Sequence, residues 1–185
     1  MKQSLIGLLL FIVLSLPPVV TLLESIMIIH MHMQMPLLVI AGALFGRYFQ
    51  IHFPHFWEKW NGNGIPGITL FVIIAVYWSI PRTMDDALTY PSVEVFKFMS
   101  LFLLAGVPLY DSWKRLNVTL KNSVFILFTI LFLSMGWLYL NVTQQLCNNY
   151  LLIDQITLGW GSAAMGVCIA IYLLYTTFTD PSQYE

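Results

Sequence analysis

Residues 26–45 read IMIIHMHMQMPLLVIAGALF. A run of about 20 predominantly apolar residues is long enough to cross a bilayer as an α-helix. Within this run lies His30–Pro36, where two imidazoles, three thioethers and one carboxamide occur in seven residues. Imidazole and thioether groups are ligands for soft metal ions. This segment therefore predicts a transmembrane helix that carries candidate metal ligands.

The composition of the whole chain indicates the same environment. The chain has 185 residues, of which 58% are hydrophobic and 9% are charged, whereas a typical soluble domain is about one-quarter charged. Apolar runs of transmembrane length recur from end to end. We therefore predict an all-α fold class, a polytopic membrane helix bundle of about six transmembrane helices in a single domain over residues 1–185. We expect the lipid bilayer as a partner and no nucleic acid.

Six apolar runs define the predicted helices. They cover residues 4–23, 25–45, 65–80, 92–110, 122–140 and 154–178, with an interfacial loop over residues 46–64. Pro17 and Pro18 interrupt the first run and predict a kink there. The loop mixes aromatic and basic residues, which is typical of the membrane–water interface.

The basic residues predict the orientation of the helices. If the N-terminus is cytoplasmic, the inner segments carry Lys2, Arg47, Lys59, Lys114, Arg115 and Lys121. The outer segments then carry only Arg82, and Lys97 lies inside the fourth helix. Cytoplasmic loops of membrane proteins are enriched in lysine and arginine. The distribution therefore predicts that both termini lie inside.

Polar residues gather toward the predicted outer end, close to the level of His30 and His32. This supporting polar set comprises Asp85, Asp86, Glu94, Lys97, Asp154 and Gln155. Ionisable groups at membrane depth usually face the bundle interior, where they are paired or functional. Two structural alternatives stay open: Lys97 neutralises Glu94 or the Asp85–Asp86 pair, and Asp154 caps the last helix.

The candidate metal ligands are His30, His32, Met33, Gln34 and Met35. Helical spacing places His30, Met33 and Gln34 on one face, with His32 and Met35 on a neighbouring face. Neutral thioether and imidazole ligands together favour Cu(I). The alternative is structural, because methionine often fills apolar cores and histidine often forms hydrogen bonds between membrane helices.

Three blocks of sequence follow one another along the chain. They are the His/Met-rich helix that continues into Pro36-Leu37-Leu38; Trp78-Ser79-Ile80-Pro81 followed by Asp85-x-Ala87-Leu88, Pro91 and Ser100–Gly106; and Asp154-Gln155-x-x-Leu158-Gly159. In this order they resemble the CtaG-type cytochrome c oxidase assembly family of bacterial membrane proteins, over about residues 25–178. Ser79, Phe98 and Gln34 stand where the family pattern has histidines, and family members tend to have one more helix. The family's histidine-rich site is therefore not reproduced here.

The resemblance implies a non-enzymatic protein that handles copper at the outer face of the bacterial inner (plasma) membrane and aids assembly of a haem–copper oxidase. Expected partners are cytochrome c oxidase subunits or periplasmic copper chaperones. One alternative is a CopD-like copper permease, although the last two helices offer only Ser134, Ser162 and Cys168 as a polar path. Another is a ligand-free membrane scaffold. Bis-histidine haem binding is disfavoured, because only one predicted transmembrane helix carries histidines.

Overall fold

The structure, a computed structural model, describes residues 2–179. Nine helices and no strand occur within this range. The helices are α1 (Lys2–Leu14), α2 (Pro17–Glu24), α3 (Met27–His52), α4 (Pro54–Asn61), α5 (Ile65–Trp78), α6 (Pro81–Thr89), α7 (Pro91–Arg115), α8 (Val118–Asn141) and α9 (Leu152–Phe178). The all-α class predicted from the sequence is confirmed for this part of the chain.

Four of these helices, α3, α7, α8 and α9, are long and apolar enough to cross a membrane. The pairs α1–α2 and α4–α5 pass the same test together, but they bend by 72° and 82° at their breaks. The number of spans is therefore four, or six if each bent pair is one span. These are the helices of a multi-pass membrane protein.

Proline explains the break between α1 and α2, whereas the break between α4 and α5 falls at Gly64, which is in the left-handed region with φ 77°. Leu16 precedes Pro17 and is extended, with φ −68° and ψ 130°, so α1 ends and a new helix begins at the proline. The steric clash between a proline ring and the preceding residue disfavours helical geometry at that residue. The kink predicted at Pro17 and Pro18 is thus found, as a full break between two helices.

The interfacial segment differs from the loop predicted over residues 46–64. Helix α3 continues to His52, and α4 occupies most of the remainder. No proline occurs between Phe45 and Phe53, and a single glycine, Gly46, does not end the helix. Phe53 leaves helical geometry because it precedes Pro54. The drop in hydrophobicity after Phe45 marks the membrane interface, and the helix continues past it.

Other helices are also longer than predicted, because their polar ends extend beyond the apolar runs. The charged segment after α5 forms the short helix α6, and the helices predicted over 92–110, 122–140 and 154–178 span 91–115, 118–141 and 152–178.

Two of the long helices contain a π-helical segment just before a proline. In α3 the segment is His30–Gln34, followed by Pro36; in α7 it is Ser100–Gly106, followed by Pro108. In α3 the N–H of Met35 donates to the carbonyl of His30, five residues earlier. A proline ring clashes with the carbonyl four residues before it. We attribute the wider turn to relief of this clash.

Glycine contacts bring α3 close to α7. A β-carbon placed on Gly42 would collide with the carbonyl of Phe102, and one placed on Gly106 would collide with the carbonyl of Val39. Small residues permit such backbone contact between membrane helices. Helices α8 and α9 pack on each other, and α9 also packs on the first turn of α3.

Candidate functional site: a buried polar network beside a methionine-lined cavity

Five residues from four segments meet at one end of the bundle, which we call the His30 end. Lys97 of α7, Glu24 at the end of α2, His30 and Gln34 of α3, and Tyr150 of the α8–α9 loop form the Lys97 network. The side chains of Lys97, His30 and Gln34 are fully buried. A buried charge is costly unless it is paired, and Lys97 forms an ion pair with Glu24 Oε1.

The hydrogen bonds of the network define the state of His30. The Tyr150 hydroxyl donates to the carbonyl oxygen of Glu24 at 2.8 Å, so its oxygen accepts from His30 Nδ1 at 2.9 Å. Lys97 Nζ has no lone pair to accept with and therefore donates to His30 Nε2 at 3.2 Å. His30 is then neutral, with its proton on Nδ1. Both of its ring nitrogens are occupied, which leaves no lone pair for a metal in this arrangement.

Only one of the two polar atoms of the Gln34 carboxamide is hydrogen-bonded within the network. Its Nε2 donates to Glu24 Oε1 at 3.2 Å. Its Oε1 is buried and has no hydrogen-bond partner among the described residues. Buried polar atoms of this kind usually have a partner, which is often an ordered water. The network therefore keeps one open acceptor.

A second feature, the methionine cavity, lies beside this network. It has a volume of about 330 Å³ and is lined by His32, Met31 and Met35 of α3, Met135 of α8 and Met165 of α9, among other residues. His32 Nε2 lies 3.3 Å from Ser162 Oγ. Four thioether side chains and one imidazole from three helices therefore line one space.

The structure separates the predicted ligands into three places. His30 and Gln34 belong to the Lys97 network, and His32 and Met35 line the methionine cavity. Met33 is 51% exposed and lies on the outside of the bundle. The prediction that Met33 shares the face of His30 assumed a regular α-helix. The π-helical turn is wider, so residues three apart no longer lie on one side.

Lys97 has a different partner from those predicted. Its carboxylate partner is Glu24, 73 residues earlier, and not Asp85 or Asp86. Glu94 lies in the first turn of α7, one helical turn before Lys97, and is half-buried. Asp86 is half-buried on α6.

Most of the other supporting residues hold the loop between α8 and α9. Asp85 accepts from the side chains of Asn148 and Asn149 at 2.9 and 2.8 Å, and these hydrogen bonds lower the pKa of its carboxyl although burial acts to raise it. Gln155 accepts from the N–H of Leu146 at 2.9 Å. Leu151, and not Asp154 as the structural alternative predicted, is the N-cap residue of α9; Asp154 lies three residues later and its carboxylate accepts from the N–H of Leu151.

Several residues of the site were not among the predicted ones. Glu24 was expected as a turn residue on the predicted outer side but not as a residue of the site, and Tyr150 only as a loop residue. Met31 lies between the two histidines, so its position in the sequence could have identified it as a residue of the site. Met135 and Met165 are isolated methionines in apolar helices and carried no signal.

Within residues 2–179, no three side chains from histidine, cysteine, aspartate and glutamate lie close enough to hold a metal ion together. Methionine is outside that set, so the methionine cavity is a separate case. No family model, curated protein or solved structure matches the chain.

Proposed function

We propose that the chain handles copper(I) as cargo in the bacterial inner membrane and supports the assembly of a haem–copper oxidase. The observation that carries the proposal is the methionine cavity. Its lining includes His32 with Met31, Met35, Met135 and Met165. Soft, neutral thioether and imidazole ligands favour Cu(I) over harder ions.

The chemistry of the cavity lining fits a soft monovalent ion. Besides His32, Ser79 and Trp78 are the only polar residues that line it among residues 2–179, and none of these lining residues carries a carboxylate or a thiol. Calcium and magnesium require oxygen ligands, and structural zinc sites use thiolates, histidines or carboxylates. His32 with Met31 and Met35 from α3 would hold the ion, with Met135 and Met165 on the opposite wall.

The Lys97 network has a supporting role in this proposal. Lys97 and Tyr150 occupy the two ring nitrogens of His30, so His30 anchors the first turns of α3. His32, two residues later, is the histidine at the cavity. This division assigns positioning to His30 and copper binding to His32.

The assignment to oxidase assembly rests on the order of the sequence blocks that resemble the CtaG-type family. The predicted orientation places the His30 end at the outer face, where that family acts. Copper chaperones or oxidase subunits would meet the protein at the loop between α8 and α9, which Asp85 and Gln155 hold in place.

Transport across the membrane is a weaker alternative. Toward the opposite end of the bundle, the next cavity shares Phe71, Phe128 and Phe132 with the methionine cavity. These aromatic walls offer no soft ligand for a permeating copper ion. This observation favours a chaperone or assembly role over a permease.

The test is Cu(I) binding by the detergent-purified protein in competition with a chromophoric chelator. We expect one bound Cu(I) in wild type and a large loss of affinity in His32→Ala. The matched control is His52→Ala, because His52 is exposed at the opposite end of α3. If wild type binds no copper, or His32→Ala binds as tightly as wild type, the copper proposal is overturned and a ligand-free scaffold is favoured.

The oxidase part of the proposal needs its own measurement. In a host that lacks the chromosomal copy, we expect His32→Ala to lower the copper content and the activity of the haem–copper oxidase, whereas His52→Ala restores both. His32→Ala could abolish Cu(I) binding in vitro while cells that carry it keep normal oxidase activity. That result would restrict the proposal to copper binding alone.

A further inference from the structure

The second cavity lies toward the end of the bundle opposite His30, which we call the Asp111 end. It has a volume of about 620 Å³ and lies between α7 and the α8–α9 pair. Tyr110, Trp113 and Lys114 line it near the membrane interface, and Phe125, Phe128 and Ile169 line its deeper part. We call it the lysine cavity. It has the volume of a typical small-molecule site.

Two lysines are held at this cavity. Lys114 is exposed; its Nζ donates to the Tyr110 hydroxyl at 2.8 Å and lies 4.0 Å from the centre of that ring. Lys121 Nζ lies 5.5 Å from the ring centre of Trp113. Cation–π contacts of this kind position an ammonium group while leaving donors free. Both ammonium groups are therefore held against aromatic residues that line the cavity.

Neither ammonium group has a carboxylate within salt-bridge distance in the described part of the chain. Arg115 is different, because it forms an ion pair with the buried Asp111 at 3.1 Å. Asp111 also accepts from Gln50 and Asn61 and is fully occupied by these contacts. In residues 2–179, neither Lys114 nor Lys121 forms a salt bridge. Lys114 in the cavity lining and Lys121 beside it at Trp113 are thus two cations without an ion-pair partner among the described residues.

We propose that the lysine cavity binds an anionic phospholipid, with its phosphate at Lys114 and Lys121 and an acyl chain between α7 and α8. The cavity follows α8 from Val124 to Phe132, which is about 12 Å of helix at 1.5 Å per residue. This depth accommodates a large part of one acyl chain. Basic pockets between transmembrane helices on the cytoplasmic side bind anionic lipid headgroups.

The predicted orientation agrees with this occupant. The Asp111 end is the end that the lysine and arginine distribution places in the cytoplasm, and the cytoplasmic leaflet is rich in anionic lipid. Charge complementarity therefore favours an anionic phospholipid over an uncharged lipid. The proposal does not depend on copper binding, since His32 and the methionines lie in the other cavity.

The experiment is native mass spectrometry of delipidated full-length protein mixed with phosphatidylglycerol and phosphatidylcholine of identical acyl chains. We expect wild type to retain phosphatidylglycerol in preference to phosphatidylcholine by roughly tenfold or more, the ratio expected for two lysines near a headgroup with a net negative charge. Lys114→Gln with Lys121→Gln should lose that preference. Ala43→Phe, which fills the cavity, should retain less of both lipids.

The control variant is Lys59→Gln, because Lys59 is exposed at the same end but does not line the cavity. It should keep the wild-type preference. Equal retention of the two lipids by wild type, or an unchanged preference in the double lysine variant, would overturn the proposal. A lipid-independent dimer that Ala43→Phe abolishes would overturn it too, since a second copy would then be the occupant.

Discussion

The ammonium group of Lys97 contacts the carboxylate of Glu24 inside the bundle, between two residues that are 73 positions apart in the sequence. Lys97 is fully buried and the side chain of Glu24 is 11% exposed. Breaking a buried ion pair by removing one partner leaves an uncompensated charge, at a cost of about 3–5 kcal/mol. We therefore expect Glu24→Gln to lower the thermal unfolding midpoint of the detergent-solubilised protein strongly.

Two further variants make this measurement specific to the pair. Glu58→Gln, at an exposed position, should leave the midpoint unchanged. The double variant Glu24→Leu with Lys97→Met removes both charges and should be more stable than Glu24→Gln alone. A Glu24→Gln midpoint equal to that of wild type would show that the pair contributes nothing to stability.

The hydroxyl of Tyr150 links the loop between α8 and α9 to the rest of the network. It accepts from His30 and donates to the carbonyl of Glu24. Tyr150→Phe leaves both groups without this partner, and we expect a loss of about 1–3 kcal/mol in the free energy of unfolding. Chemical denaturation in detergent measures it. Tyr90→Phe, at an exposed position, is the control and should have no effect.

The sequence was sufficient to predict the long apolar helices, because these depend on local hydrophobicity, but not the short polar helices α4 and α6. It was also sufficient to identify His30, His32 and Lys97 as residues in an unusual environment. The Glu24–Lys97 pairing could not be predicted, because it depends on how α2 packs against α7. The separation of Met33 from His30 could not be predicted either, since it results from a wide turn that helical periodicity does not include.

Met33 and Met35 provide a matched test of the copper proposal. Met35 lines the methionine cavity and Met33 is exposed, although only one residue separates them. We expect Met35→Leu to weaken Cu(I) binding by roughly tenfold, about 1.4 kcal/mol for one lost ligand. Met33→Leu should bind as wild type does. Competition with a Cu(I) chelator compares the two, and equal affinities would exclude Met35 as a ligand.

The contact between α3 and α7 depends on two glycines. An added methyl group on Gly42 meets the carbonyl of Phe102, which is backbone and cannot rotate away. We expect Gly42→Ala to destabilise the protein by about 1–3 kcal/mol through overpacking. Gly161→Ala is the comparison, because its methyl group meets the flexible end of Ile28. Thermal unfolding of both variants should show the larger loss for Gly42→Ala.

Cys147 lies in the loop between α8 and α9 and is buried. Burial and the nearby charge of Asp85 raise the pKa of its thiol from 9.0 to about 12. We expect a water-soluble maleimide at pH 8 to modify Cys147 much more slowly in the folded than in the unfolded protein, because the thiolate is the reactive form. Mass spectrometry of the peptide that contains Cys147 measures this. Equal rates would contradict the burial of the thiol.

The same pKa shift predicts the sign of a pH effect. Above pH 9 the unfolded thiol loses its proton while the folded one keeps it, so the unfolded state binds fewer protons. The contribution of Cys147 to stability therefore decreases between pH 9 and about pH 12. Cys147→Ala should reduce this decrease, as measured by unfolding midpoints across that range.

The π-helical turns determine which residues of α3 and α7 face each other beyond the turn. A wide turn accommodates about one more residue than a regular turn, which shifts the phase of all later residues by about 100°. In α3, His30 faces the Lys97 network within such a turn, and Gly42 meets α7 after it. A substitution that restored a regular α-helical turn at His30–Gln34 would therefore rotate Gly42 away from α7, so the polar network and the glycine contact constrain each other through one turn.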